Sequence, residues 1–134
     1  MLSIIYVSVA DPLLGTDDIT KLVEQAQRNN ARDELTGALI YNGHNFMQLL
    51  EGPSAKVEAC LGLIRPDRRH SGMVEIRRRH VSEREFSGWS MLYHRLHGDV
   101  EADLSRLAAN GKLDEQDERL MANFIALGAR RGAG

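Results

Sequence analysis

The dipeptide Asn42-Gly43 sits between two apolar runs, residues 35–41 and 46–51, and limits the folds open to this chain more than any other feature. Asn-Gly is the two-residue turn whose backbone twist matches that of the strands it joins, so the two runs read as an antiparallel hairpin. Residues 2–9 alternate as a further strand. Leu2, Ile4, Tyr6 and Ser8 fall on one face, and Ser3, Ile5, Val7 and Val9 on the other. Asp11-Pro12 ends that strand. Thr16-Asp17-Asp18 supplies a cap and an acidic first turn for a helix in which Ile19, Leu22, Val23 and Ala26 recur at helical spacing. This helix is expected to end near Asn29-Asn30. Gly52-Pro53 opens a second helix, with proline at its first position and Val57, Cys60, Leu61 and Ile64 as its buried stripe. Pro66-Asp67 closes it, and residues 74–81 and 90–93 read as two more strands.

The order predicts an α+β fold, a ferredoxin-like β-α-β-β-α-β-β sandwich with two C-terminal helices. The first and third strands are apolar on both faces, yet the two intervening helices can cover only one. An apolar face of that size must be buried by something. Val100, Leu104, Leu107 and Ala108 form one helical stripe. After Asn110-Gly111, a helix beginning near Asp114 carries Leu120, Met121, Phe124, Ile125 and Leu127. The reading is a domain at 1–97, a helical extension at 98–130 and a disordered tail at 131–134.

The length of 134 residues suits one domain with a real core. A net charge of −2 gives no strong pull toward nucleic acid or anionic membrane. Arg77-Arg78-Arg79-His80 reads as a solvated edge, and His44 as an exposed residue beside the turn. The single cysteine, Cys60, fits a reducing compartment, and no Cys/His cluster has metal-ligand spacing. The start lacks the basic region and long apolar run of a signal peptide, and no stretch is long enough to span a membrane. A cytoplasmic protein is expected. No nucleophile elbow, Walker loop or dinucleotide glycine motif points to hydrolysis or phosphoryl transfer.

Several polar residues sit where apolar ones are the rule. Gln48 lies in an apolar strand on the face of Phe46 and Leu50. Tyr6 meets it across the sheet if the first and third strands are neighbours. Buried amides and hydroxyls cost free energy unless they are hydrogen-bonded. Taken singly, each has an ordinary role. Tyr6 serves as a core tyrosine, Gln48 as an edge residue, Asn29 or Asn30 as a helix C-cap, and Asp67–His70 as a helix terminus. Trp89 and Met91, on one strand face, serve as core packing. Taken together, they offer donors and acceptors to a flat polar ligand.

The stretches Ile5-Tyr6-Val7-Ser8, Arg28-Asn29-Asn30-Ala31-Arg32, Leu35-Thr36-Gly37, Gln48-Leu49-Leu50-Glu51-Gly52-Pro53, Asp67-Arg68-Arg69-His70 and Phe86-Ser87-Gly88-Trp89-Ser90-Met91 resemble the BLUF family, the blue-light sensors that use flavin. The likeness covers about residues 2–93. It implies a non-covalent flavin, usually FAD, with FMN or riboflavin as alternatives, held between two helices over the sheet. Tyr6 matches the electron-donor tyrosine, Gln48 the switching glutamine, and Asn30 the residue that holds the flavin carbonyl edge. Ser8, Asn29, Asp67, Arg69 and His70 match positions near the flavin. Trp89 and Met91 match the segment that exchanges in and out of the site. Where some members carry an arginine near the ring's other carbonyl, this chain has Leu63.

The resemblance implies a photoreceptor rather than an enzyme. The apolar stripes of the tail also offer a self-association surface, so signalling is expected to pass through the tail helices, as a homodimer or higher oligomer, to an unnamed protein partner. No direct nucleic-acid or membrane contact is expected. Two other readings stand beside it: a flavin-dependent redox enzyme and a flavin-free ferredoxin-like interaction module.

Overall fold

The structure is a computed structural model that describes residues 1–133, with side chains through residue 128. Its elements are β1 (Leu2–Ala10), α1 (Thr16–Arg32), β2 (Thr36–Tyr41), β3 (Asn45–Gly52), α2 (Ser54–Ile64), β4 (His70–His80), β5 (Leu92–Arg95), α3 (Val100–Asn110) and α4 (Glu115–Ala133). The five strands form one sheet in the order β4-β1-β3-β2-β5. β3 runs antiparallel between β1 and β2, β4 is antiparallel to β1, and β5 is parallel to β2. This is the expected ferredoxin-like sandwich with one added strand.

The hairpin forms, but its turn lies one residue further on: Asn42 N donates to the Asn45 carbonyl (3.2 Å), which makes Gly43 and His44 the two central residues. Gly43 adopts a φ of 95°, and Asn42 Oδ1 accepts from the backbone N–H groups of His44 (2.9 Å) and Asn45 (2.7 Å). Gly37 lets β2 approach β3 closely, because a Cβ there would lie 2.0 Å from the Leu49 carbonyl oxygen.

The sheet's two faces carry separate cores. Toward α2, Leu2, Ile4, Tyr6, Leu35 and Leu50 pack on Val57 and Leu61. On the same face toward α1, Ala10, Leu39, Tyr41 and Phe46 pack on Ile19, Val23 and Met91. The opposite face presents Ile5, Ala38, Ile40, Met47 and Leu49, which α3 and α4 cover with Leu107, Met121, Phe124 and Ile125. The tail helices therefore complete the second layer. Full burial of side chains of this size stabilises by roughly 1.5–3 kcal/mol each.

Several expectations need correction. α1 does not stop at the asparagine pair but runs through it to Arg32, with Asp33 as C-cap. Its start is capped from within the expected Thr16-Asp17-Asp18 stretch, by Asp18, whose Oδ2 accepts from Gly15 N (2.8 Å). Pro53 is the N-cap of α2, one place before the first helical residue. β4 begins four residues earlier than expected, at His70, and β5 lies at Leu92–Arg95 rather than 90–93. Trp89 and Met91 therefore sit on the segment leading into β5, not on a strand face. On the tail helices, Ala108 and Leu127 face solvent, while Asp103 is buried and accepts from His97 N and Gly98 N at 3.1 and 3.0 Å. The disordered end expected at 131–134 includes Gly134, which lies outside the described residues. The α4 backbone is described to Ala133.

The arginine run is not simply a solvated edge. Arg78 is exposed, but Arg77 is buried between β4, α4 and the β4–β5 segment. It bonds Asp117 Oδ1 (2.5 Å), Glu85 Oε1 (3.2 Å) and the Ser3 hydroxyl. Arg79 reaches Asp114 (2.6 Å) and Asp117 (3.1 Å). Charge on an edge strand serves here to anchor the start of α4.

Candidate functional site

Gln48 lies at the seam between the two cores on the α1/α2 face. Its register partners are Tyr6 on β1 and Leu39 on β2, one from each core. Direct pairing of β1 with β3 places the Tyr6 hydroxyl against the Gln48 side chain, and it donates to Gln48 Oε1. Burial pushes the Tyr6 phenol well above its usual range, with the nearby Cys60 and Asp67 adding to the shift. Tyr6 is thus held as a neutral donor.

The other end of the amide, Gln48 Nε2, faces Met91 Sδ at 3.9 Å. Sulfur is a weak acceptor, so this N–H retains hydrogen-bonding capacity. Met91 is fully buried, whereas Trp89 is 39% exposed. Of the two, Met91 is the one at the glutamine.

α1 holds this segment with two amides. Asn30 Nδ2 donates to the Ser90 carbonyl (2.8 Å), and Gln27 Nε2 donates to the Met91 carbonyl (3.1 Å). The Gly37 N–H adds a bond to the Trp89 carbonyl (3.1 Å). Asn30 is buried and Asn29, its neighbour, only half so. Helical geometry explains the split, since adjacent residues point about 100° apart and only one can face the sheet. Gln27 was not singled out from the sequence. Its signal was present, because it precedes Asn30 by three positions and so shares its helix face.

Asp67, Arg69 and His70 line the approach from the α2 side. Arg69 pairs with Asp67 (2.5 Å) and reaches Gln25 on α1 (3.3 Å), so it bridges the mouth between the helices. That pairing holds the Asp67 carboxyl below the usual carboxylate range. These residues follow α2 rather than extend it. His70 opens β4, donates from Nε2 to the Ile64 carbonyl (2.6 Å) and places its ring 6.2 Å from that of Tyr6. Leu63 is 75% exposed on α2, on the side away from Val57 and Leu61, and the structure does not bring it to this group.

Ser8 tests whether the residues suit a bound polar ring. It is on the Tyr6 face of β1, it is buried, and its hydroxyl has no hydrogen-bond partner among the described residues. An unpaired buried hydroxyl and an underused buried amide N–H on one face are what a ligand with ring carbonyls and N–H groups would satisfy. The residues fit a flavin. Among the described residues, no cluster of His, Cys, Asp and Glu could hold a metal ion, and no helix is long and apolar enough to cross a membrane.

Fold and site together define a ferredoxin-like α+β domain with a buried polar group, Tyr6, Ser8, Asn30 and Gln48, on the sheet face that α1 and α2 cover. Comparison with known proteins then places it. The family model described as "BLUF: Sensors of blue-light using FAD" matches residues 1–92. The chain is 37% identical over 81 residues to the blue light- and temperature-regulated antirepressor BluF of Escherichia coli, a match covering 59% of this chain and 20% of that protein. It is 31% identical over 87 residues to the photoactivated adenylate cyclase subunit beta of Euglena longa, covering 64% of this chain and 10% of the other. The chain thus spans a fifth or less of these curated relatives.

Among solved structures, Klebsiella pneumoniae BlrP1 with FMN and cyclic diGMP superposes with a TM-score of 0.86 at 32% identity, over 97% of this chain and 36% of that one. The BlrB dark-state structure, a BLUF protein, gives 0.75 at 26% identity, over 96% of each chain. The chain belongs to the BLUF family. BLUF domains are flavin-binding blue-light sensors and not enzymes, their effector enzymes being separate domains.

Proposed function

We propose that this chain is a blue-light photoreceptor whose switch is the Tyr6–Gln48 pair and whose flavin is FAD. The hydrogen bond from the Tyr6 hydroxyl to Gln48 Oε1, beside a Gln48 N–H that faces only sulfur, carries this reading.

Asn30, Ser8 and Gln48 would meet the ring, with Asn29 beside them. Asp67, Arg69 and His70 would lie toward the ribityl side. Bound flavin supplies a strong one-electron oxidant when it absorbs blue light. With flavin bound, Tyr6 would give up an electron and then its phenolic proton, which points at Gln48 Oε1, and would take both back as the pair recombines. Gln48 would change tautomer or orientation while that proton is away, leaving its amide free to donate to the ligand. Met91 and the α1 amides hold the surrounding wall fixed. No product leaves, because the state is stored in one amide and its hydrogen bonds.

Output passes through α3 and α4, by a small population shift in their packing rather than by unfolding. A homodimer or higher oligomer in the cytoplasm, and a separate protein partner, complete the reading. FMN and riboflavin present the same ring and ribityl chain to this site, so they are the alternative cofactors.

The test is an absorption spectrum of the flavin-loaded chain before and after blue light. A reversible red shift of the flavin band is expected. A static spectrum with flavin bound would reject the photoreceptor reading.

A further inference from the structure

Glu51 is a buried charge with no ion-pair partner among the described residues. It is fully buried at the end of β3, three residues after Gln48, and its parity turns it to the opposite face of the sheet with Met47 and Leu49. Burying a carboxylate is expensive unless charge-assisted hydrogen bonds compensate. Glu51 has three. Oε2 accepts from Glu85 N (2.8 Å), while Oε1 accepts from Phe86 N (2.7 Å) and the Thr36 hydroxyl (2.9 Å). Two successive backbone N–H groups of the β4–β5 segment are therefore fixed to the strand that carries Gln48.

That segment ends at Met91. Its later residues are held by Gly37, Asn30 and Gln27 through the carbonyls of Trp89, Ser90 and Met91. Its middle is held by the Glu51 carboxylate, by Arg84, which donates to the Thr36 hydroxyl and the Glu34 carbonyl, and by the Phe86 side chain, which is buried in the α3/α4 core. No charged residue is needed at position 51 to pack the core, because its strand neighbours Leu49 and Leu50 do so without one. What a carboxylate adds is the location of the backbone at Glu85 and Phe86. This sets where the chain re-enters the site.

We infer that Glu51 is a positioning residue for the Gln48 switch: by stapling the backbone at Glu85 and Phe86 to β3, it holds Met91 Sδ against the Gln48 amide. The inference rests on the light-sensing reading above. Gln48 must find its original arrangement again after each photocycle. A fixed sulfur beside Nε2 narrows that search, and a loosened segment widens it.

Glu51→Gln replaces one acceptor oxygen with an NH2 group, which cannot accept from a backbone N–H. It should retain flavin and the light-induced red shift, and slow dark recovery by about two- to threefold, the low end of the coupling between groups that share a contact network. The discriminating measurement repeats the substitution in a Met91→Ala background. If Glu51 acts through Met91, slowing relative to Met91→Ala alone disappears. A merely structural role would slow both backgrounds equally.

Unchanged recovery after Glu51→Gln, or equal slowing in both backgrounds, overturns the inference while leaving the photoreceptor reading intact. A flavin-loaded wild type without a reversible shift overturns both. Should Glu51→Gln fail to fold, Thr36→Val removes one donor to the same carboxylate. A smaller slowing that also vanishes with Met91→Ala is expected, and none at all overturns the inference.

Discussion

Tyr6 and Gln48 are direct register partners on neighbouring antiparallel strands, and the tyrosine hydroxyl donates to the glutamine carbonyl oxygen. Side chains of paired residues stand side by side on one face. The contact is thus a property of the sheet rather than of a mobile loop. Tyr6→Phe keeps the ring and the packing but removes the hydroxyl. Flavin should stay bound while the red shift is lost. Gln48→Leu should have the same outcome by removing the amide that rearranges. Absorption spectra in dark and light check both, and a full reversible shift in Tyr6→Phe would end its assignment as electron donor.

Ser8 offers a second test, with opposite effects on two quantities. Its buried, unpartnered hydroxyl burdens the flavin-free protein. Ser8→Ala should therefore stabilise the flavin-free form by about 1 kcal/mol and weaken flavin binding by a similar amount. Thermal unfolding without flavin and titration with flavin measure the two. Movement of both in the same direction would mean that Ser8 does not face the ligand.

Asn30→Ala removes a buried side chain whose N–H group bonds the Ser90 carbonyl. Flavin retention should weaken by about 1–3 kcal/mol, and dark recovery should also change because the Met91 segment loses one of its holds. Equilibrium dialysis and recovery kinetics separate the two effects. Asn29→Ala, half-buried beside it, should do less to both.

The Glu85 carboxyl gives the domain a pH dependence. Burial, and then the adjoining Asp117, pushes its pKa from 4.5 up to about 7, against the opposing pull of Arg77 and Arg79. A carboxyl whose folded value is raised holds its proton more tightly in the folded state. Its contribution to stability is therefore present at low pH and is lost as pH rises from 4.5 to about 7, with no further loss above. The groups packed around it are Arg77 and Arg79 from β4, Asp117 and Asp114 at the start of α4, Ser3 from β1, and Glu51 at its backbone N–H. Urea midpoints near pH 5 and pH 8, compared between wild type and Glu85→Gln, should show a drop that the variant lacks. Equal drops in both proteins would assign the dependence elsewhere.

Phe124→Ala tests the second layer. Phe124 packs with Ile5, Met47 and Leu49 on the sheet face that α1 and α2 leave open. A loss of about 3–5 kcal/mol is expected by chemical denaturation. Hydrogen exchange of α3 and α4 in dark and light then tests the proposed output. Light-induced changes near Gln48 and Met91 with none in residues 100–127 would exclude the tail as the route.

Strand parity, the Asn42-Gly43 turn and the helical spacing of apolar residues placed nearly every element by local rules alone. The doubly apolar β1 and β3 required a second layer, which the tail stripes then supplied. The face shared by Tyr6 and Gln48 was legible for the same reason, since parity needs only a count along the chain. Tertiary structure decided the rest. Pairing of β1 with β3 brought the two residues into contact. Continuation of α1 through Asn29-Asn30 split an apparently equivalent pair into one buried and one half-buried residue.

The approach of the β4–β5 segment put Met91, not Trp89, at the glutamine. Burial under α4 turned Arg77 from an edge charge into the centre of an ion network, and the course of the β4–β5 segment brought the backbone donors of Glu85 and Phe86 to Glu51. Periodicity reports which way a side chain points. What it meets depends on chain segments dozens of residues away, and no local pattern encodes that distance.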